Sequence, residues 1–279
     1  MAKPKKDQYE AVPADGMVRA LIGAWGVEDK HERLQKYIFA SHATRRKFLV
    51  EYKKDTGFVD LYCGPGRARI RDTNVVVDGS AVMAAKRSAA CTPFQRYVIG
   101  DIDPKLLAAC EKRLSEAGAG CVYAFNGPAE KTAEQAIAVL HKTGLNLSFL
   151  DPFNANLPFS VIETLGELNK MDQLIHFSVM DYRRNLPVMM QDGRLDSLAP
   201  GWQKVVKLTM GINEQRHAIF SYWRGLLESK LKYQVSDTIV RVRGPNGAEI
   251  YWLVFASRNK LADRLWREIA NLSPQRGLL

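Results

Sequence analysis

The chain has 279 residues, 46% of them hydrophobic, a formal net charge of +10 and a pI near 9.4. That length supports one large domain or two small ones with a full core. No apolar run reaches membrane-spanning length, and the basic start Met1-Ala2-Lys3-Pro4-Lys5-Lys6 lacks the apolar segment of a signal peptide, so a cytoplasmic protein with no membrane partner is expected.

Cys63, Cys91, Cys110 and Cys121 form no C-x-x-C pair, so a zinc or iron–sulfur site within this chain, or any other metal site, is not expected. The positive balance makes a polyanion a candidate partner, DNA or RNA first, and a generally basic surface is the plainer reading.

Residues 1 to about 28 carry scattered proline and glycine and read as an extended arm with a short helical turn around Met17–Leu21. From Lys30 to Lys54 the pattern is helical, with Leu34, Tyr37, Ile38, Phe48, Leu49 and Tyr52 on one face and Lys30, Arg33, Lys36, Arg45, Arg46 and Lys53 on the other. That basic face either tracks phosphates or is simply solvated. The arm and basic helix form one unit, 1–56, ahead of a larger domain, 57–279.

The first strand of that domain, Gly57–Tyr62, runs into Cys63-Gly64-Pro65-Gly66. A buried strand opening into a glycine turn lets backbone N–H groups approach a ligand, because no Cβ stands between them. A dinucleotide fold wants G-x-G-x-x-G with an acid about 20 residues further on. Here Arg69 holds the third glycine position and Asp101 lies too far along. The spacing of Asp60, Gly64 and Gly66 instead matches D-x-x-x-G-x-G, the first motif of S-adenosylmethionine (SAM) methyltransferases. Arg67, Arg69 and Arg71 follow on a polar loop, where they either hold phosphates beside the site or are surface charges.

Ser80 is placed to cap a helix over 81–90. A second strand, Tyr97–Gly100, ends in Asp101-Ile102-Asp103-Pro104, a helix start with proline at the first position. The buried stripe of that helix is Leu106, Leu107, Cys110 and Leu114, and Gly118 ends it. Strands at 121–125, 145–150 and 173–179 alternate with helices at 129–142 and 159–168. Residues 181–212 read as an irregular insertion, rich in proline and glycine. A helix over 213–230, a hairpin over 235–257 and a last helix over 260–270 complete the chain.

This alternation predicts an α/β fold: a doubly wound, mostly parallel, Rossmann-like methyltransferase sheet with a late antiparallel hairpin and an N-terminal helical extension. In such sheets ligands bind beyond the carboxyl ends of the strands. Asp60, Asp101, Asn126 and Asp151 all fall at predicted strand ends, so four polar groups converge on one crevice.

Trp25, Asp60–Gly66, Gly79-Ser80, Asp101-Ile102-Asp103, Leu150-Asp151-Pro152-Phe153 and Leu253–Ser257 together resemble the three-Cys-motif partner (TcmP) family, over nearly the whole chain. The family is similar to class I SAM-dependent methyltransferases, and its name refers to a partner protein carrying a three-cysteine motif. Asn154 and Ala81 depart from its pattern.

The resemblance implies SAM as cofactor. Asp60, Tyr62, Gly64, Pro65, Gly66 and Ser80 would surround the methionine end, Asp101 would hold the ribose, and Ile102 and Asn126 would lie by the adenine. Asp151 and Phe153 are the catalytic candidates, where amino-methyltransferases carry (Asp/Asn)-Pro-Pro-(aromatic), although Phe153 stands one position earlier than that aromatic. Two functions fit: a methyltransferase working with the three-Cys-motif protein on nucleic acid, or a methyltransferase-like subunit that serves that protein as an interaction module.

Overall fold

The computed structural model describes residues 8–12, 15–23, 27–153, 155–207, 209–244 and 247–272. Trp25 and Asn154 lie outside the described residues. The elements in chain order are β1 (Tyr9–Ala11), β2 (Val18–Ile22), α1 (Val27–Ala40), α2 (His42–Val50), β3 (Thr56–Asp60), β4 (Arg67–Ile70), β5 (Val76–Asp78), α3 (Ser80–Ala89), β6 (Arg96–Asp101), α4 (Pro104–Glu116), β7 (Cys121–Asn126) and α5 (Ala129–Val139). They continue with β8 (Leu145–Leu150), α6 (Phe159–Gly166), β9 (Met171–Phe177), α7 (Val179–Gln191), α8 (Arg194–Leu198), α9 (Ile212–Leu231), β10 (Gln234–Val235), β11 (Val240–Arg243), β12 (Glu249–Ser257) and α10 (Lys260–Ala270).

The main sheet runs β10-β12-β9-β8-β3-β6-β7, with β11 also paired to β12. β7, β6, β3, β8 and β9 are parallel, and β12 is antiparallel to β9, β10 and β11. This is the expected doubly wound sheet with a late antiparallel strand. Helices cover both faces, so β3 is buried at every residue. Its period-two alternation sends Val59 to the core shared with α5, α6, α7 and α9, and Phe58 to the core shared with α1, α3, α4 and α10. The strand order reverses at β3: the chain passes from β3 out to β6 and β7, then returns to the other side of β3 for β8 and β9. That is the switch point where open α/β sheets bind ligands.

Four sequence expectations are corrected. The single basic helix is two helices broken at Ser41, whose hydroxyl donates back to the Tyr37 carbonyl (2.7 Å). Arg45 is buried there, donating to the carbonyls of Thr92 and Ile38 and lying over the Phe94 ring, and Arg33 is buried with a bond to the Leu272 carbonyl. Two of the six basic residues of that face are therefore structural. The expected helical turn near Met17 is the strand β2.

The arginine loop after the glycine turn is the strand β4, which joins β1, β2 and β5 in a second, four-stranded sheet. Its alternation is readable: Ala68 and Ile70 point inward, Arg67 and Arg69 outward. Lastly, residues 181–212 are mostly ordered helix, with Pro187 inside α7 and Leu186, Met189, Leu195 and Trp202 buried. No helix among the described residues is long and apolar enough to cross a membrane.

Candidate functional site

At the end of β3 the chain must turn sharply, and Gly64 (φ 55°) and Gly66 (φ 72°) do so in the left-handed region that other residues enter at a cost. Gly66 also has no room for a side chain: a Cβ would stand 3.1 Å from Cys110 and Val82. The turn is fixed from three sides. The Gly79 N–H donates to the Gly66 carbonyl (2.8 Å), and the Gly64 N–H donates to the Asp101 carboxylate (3.0 Å). The buried Arg113 donates to the Pro65 carbonyl (2.7 Å).

Arg113 also donates to the Val18 carbonyl (2.7 Å) and pairs with Asp15 (2.9 Å), so it ties the small sheet to the glycine turn. It falls on the same stripe of α4 as Leu106 and Cys110, so an arginine at a buried helical position was a signal present in the sequence.

Asp60 is completely buried beneath this turn. It accepts from the Tyr62 N–H (3.2 Å) and from the Ser80 hydroxyl, so Ser80 serves Asp60 instead of capping α3, whose N-cap is Gly79. Burial pushes the Asp60 carboxyl up to about 7, opposed by those two hydrogen bonds and reinforced by Asp151 and Asp101. The Tyr62 hydroxyl is buried without a hydrogen-bond partner.

Asp101 ends β6 with its carboxylate accepting from Gly64 and Asp103 N–H groups (3.0 and 2.9 Å), and burial raises its pKa against those bonds. Ile102 follows with its apolar side chain 74% exposed. Asn126 spends both amide hydrogens on the carbonyls of Asp101 and Ile102 (2.9 and 3.0 Å), so it shapes this acidic loop and leaves only its own oxygen for a ligand.

Across the switch point, Asp151 ends β8. It is not free. Lys30 of α1 reaches it at 2.5 Å, and His176 Nδ1 at the end of β9 lies 3.3 Å from its other oxygen, close but out of line for a good hydrogen bond. Burial raises the Asp151 pKa, and the charges of Lys30, His176 and His31 outweigh it, so the carboxyl titrates below its usual range. Burial drives His176 and His31 down to about 4, with Lys30 adding to the effect. Both imidazoles are thus neutral at pH 7. Phe153, by contrast, projects from the loop with 80% of its surface exposed.

Asp60, Tyr62, Gly64, Pro65, Gly66, Ser80, Asp101, Ile102 and Asn126 lie together on the β3–β6 side of the crevice, and Asp151 and Phe153 on the β8 side. Sequence reasoning missed Lys30 and His176. Lys30 is 121 positions from Asp151, and nothing local marks the pairing.

The arginines expected beside the site are mostly spent. Arg67 pairs with Asp15 (3.2 Å), and Arg69 makes a two-pronged pair with Glu10 (2.7 Å each). Glu10 also takes Arg19. Burial raises the pKa of the Tyr9 hydroxyl on β1, and the charges of Asp101 and Asp103 add to the rise.

No family model matches the sequence, and no curated protein matches it. Solved structures do resemble the fold. A protein from Legionella pneumophila superposes with a TM-score of 0.50 at 11% identity, over 85% of this chain and 90% of that one. An O-methyltransferase from Bacillus cereus, in complex with SAH, gives 0.47 at 12% identity over 84% and 83% of the two chains. Trm1 from Pyrococcus horikoshii, with S-adenosyl-L-methionine, gives 0.46 at 10% identity over 91% of this chain and 62% of that one. At such identities the likeness establishes the α/β architecture and no more.

Proposed function

We propose that this chain is a SAM-dependent methyltransferase. The observation that carries the reading is the convergence of Asp60, the Gly64–Gly66 turn and Asp101 at the switch point of the sheet. The donor set suits the cofactor: a cradle without Cβ atoms, two carboxyls beside a cationic ligand, an exposed apolar platform at Ile102, and an orphaned Tyr62 hydroxyl. SAM supplies a methyl on a sulfonium centre, and transfer is an in-line displacement that depends chiefly on positioning. Asp101 would accept hydrogen bonds from ribose hydroxyls, Ile102 would lie against the adenine, and Asp60 holds the turn and would face the cationic end with its field. Asp151, held by Lys30, would accept a hydrogen bond from the acceptor group, and Phe153 would stack on a planar acceptor.

The finer reading is that the protein works in the cytoplasm with a three-Cys-motif protein and methylates DNA or RNA. Its supports are the motif set, the charge of +10 and the exposed aromatic beside Asp151. One observation favours the alternative of a non-catalytic, methyltransferase-like interaction subunit: Lys30 already occupies Asp151. Calorimetric titration with SAM tests the first reading. One site is expected, with most of the heat lost in Asp101→Ala; silence from both proteins sinks it. Transfer of labelled methyl to nucleic acid, with and without the three-cysteine protein, separates enzyme from interaction module.

A further inference from the structure

Three arginines meet at the acceptor side of the crevice. Arg183 of α7 pairs with Glu249 at 2.8 Å, and Arg241 and Arg243 of β11 approach the same carboxylate at 3.7 and 4.0 Å. One half-buried carboxylate cannot neutralise three guanidinium groups, so the cluster keeps a net positive charge. The side chains of Arg183, Arg241 and Arg243 are 40%, 58% and 61% exposed. The guanidinium carbons of Arg183 and Arg241 lie 5.9 and 5.7 Å from the centroid of the Trp252 ring, which holds both cationic heads at one spot.

The strand register fixes where this cluster stands. β12 runs antiparallel to β9 with Trp252 opposite Phe177, so Glu249 lies beyond the carboxyl end of β9. Arg241 and Arg243 are opposite Trp252 and Glu249 on β11. The cluster is therefore on the same edge of the sheet as Asp151. One contact ties it to the acceptor loop: the Ala155 N–H donates to Asp181 (2.8 Å) in the first turn of α7, two residues before Arg183.

We infer that Arg183, Arg241 and Arg243 form a binding site for the phosphodiester backbone of single-stranded nucleic acid, with Phe153 as the platform on which an unstacked base rests. A planar guanidinium presents forked donors that match phosphate oxygens. A strand running past this cluster lays its bases toward an aromatic ring that is 80% exposed, the pairing of charged track and stacking platform that single strands require. The inference deepens the methyltransferase reading by naming its acceptor, and the binding itself does not require cofactor.

The test is fluorescence anisotropy with a short labelled single strand, one arm RNA and one arm DNA, as salt rises from about 50 to 200 mM. Wild type should bind at low salt and weaken steeply. Arg241→Gln/Arg243→Gln, which keeps the Arg183–Glu249 pair, should weaken binding at least tenfold. It should also flatten the log–log salt slope by about 1.4, two phosphate contacts at about 0.7 each. Lys112→Gln/Lys142→Gln removes the same charge from exposed sites away from this edge and should leave the slope unchanged.

Equal behaviour of the two variants overturns the proposal, as does absence of binding by wild type at low salt or tighter binding to duplex than to single strand. SAM titration of the same proteins keeps the readings apart. Loss of oligonucleotide affinity in a protein that never binds SAM would uphold this site and refute the methyltransferase.

Discussion

Replacing Asp151 by alanine strands the Lys30 ammonium. Read from sequence alone, Asp151 is either an acceptor whose removal leaves the melting temperature near wild type or a structural cap on the following turn. Its pairing with Lys30 makes its removal destabilising. The two side chains are 16% and 19% exposed. A fully exposed pair contributes about 0–1 kcal/mol, and removing one member of a fully buried pair costs about 3–5 kcal/mol. At this intermediate burial, Asp151→Ala and Lys30→Met should each cost about 2–3 kcal/mol.

The double variant removes both charges, so it should lose much less than the sum of the singles, leaving a coupling of about 2 kcal/mol. Urea denaturation of the four proteins at pH 7 measures the cycle. If the two losses add within about 0.5 kcal/mol, the pair does not exist in solution. Asp151→Asn keeps an acceptor for Lys30 and should be the milder variant. If Asp151 also contacts the acceptor, Asn should retain some transfer at near-normal SAM affinity where Ala retains none.

Four further outcomes follow from the same geometry. Of the five histidines, His31 and His176 should show NMR titrations near pH 4, assigned by His31→Gln and His176→Gln; titration of both near 6.5 would refute their burial against Lys30. Their folded values lie below the unfolded one, so each withdraws stability as pH falls from about 6.5 to 4, where the unfolded chain binds the extra proton. His176→Gln should therefore lessen the pH dependence of stability by about one proton in that window.

Asp60 has the opposite sign: raised to about 7, it adds stability that is full below pH 4 and lost as pH climbs to 7. A cationic cofactor prefers its ionised form, so SAM should bind up to about tenfold more weakly at pH 6 than at pH 8, and Asp60→Asn should abolish the difference. Gly79→Ala places a Cβ 2.9 Å from the Gly66 backbone and should cost about 1–3 kcal/mol in denaturation while weakening SAM binding. Phe153→Ala should change stability by less than about 0.5 kcal/mol and lower transfer to nucleic acid by the roughly 1–3 kcal/mol of one stacked base.

What the sequence determined by itself was the layout of the main sheet and the glycine-turn side of the switch point. β3, β6, β7, β8 and β9 are short apolar runs bounded by turn residues. Local periodicity carries that information, and Gly64 and Gly66 announce a backbone conformation that few other residues adopt. Asp60 and Asp101 were readable because a strand end fixes where the next side chain stands. The alternation of Ala68 and Ile70 was equally local, but its partners β1 and β5 are only three residues long, and β2 follows a stretch rich in proline and glycine that reads as an arm.

The Asp151 side of the switch point was decided only by tertiary structure. Lys30 meets Asp151, Arg113 meets Asp15 and Pro65, and Arg183 meets Glu249 through packing of elements far apart in the chain. Charge pairing depends on where folding brings two side chains and how much water it removes from them. A sequence shows Lys30 and Arg45 only as members of a basic helix. Burial against Asp151 for the one, and against the carbonyls of Thr92 and Ile38 for the other, makes them parts of a site and of a core.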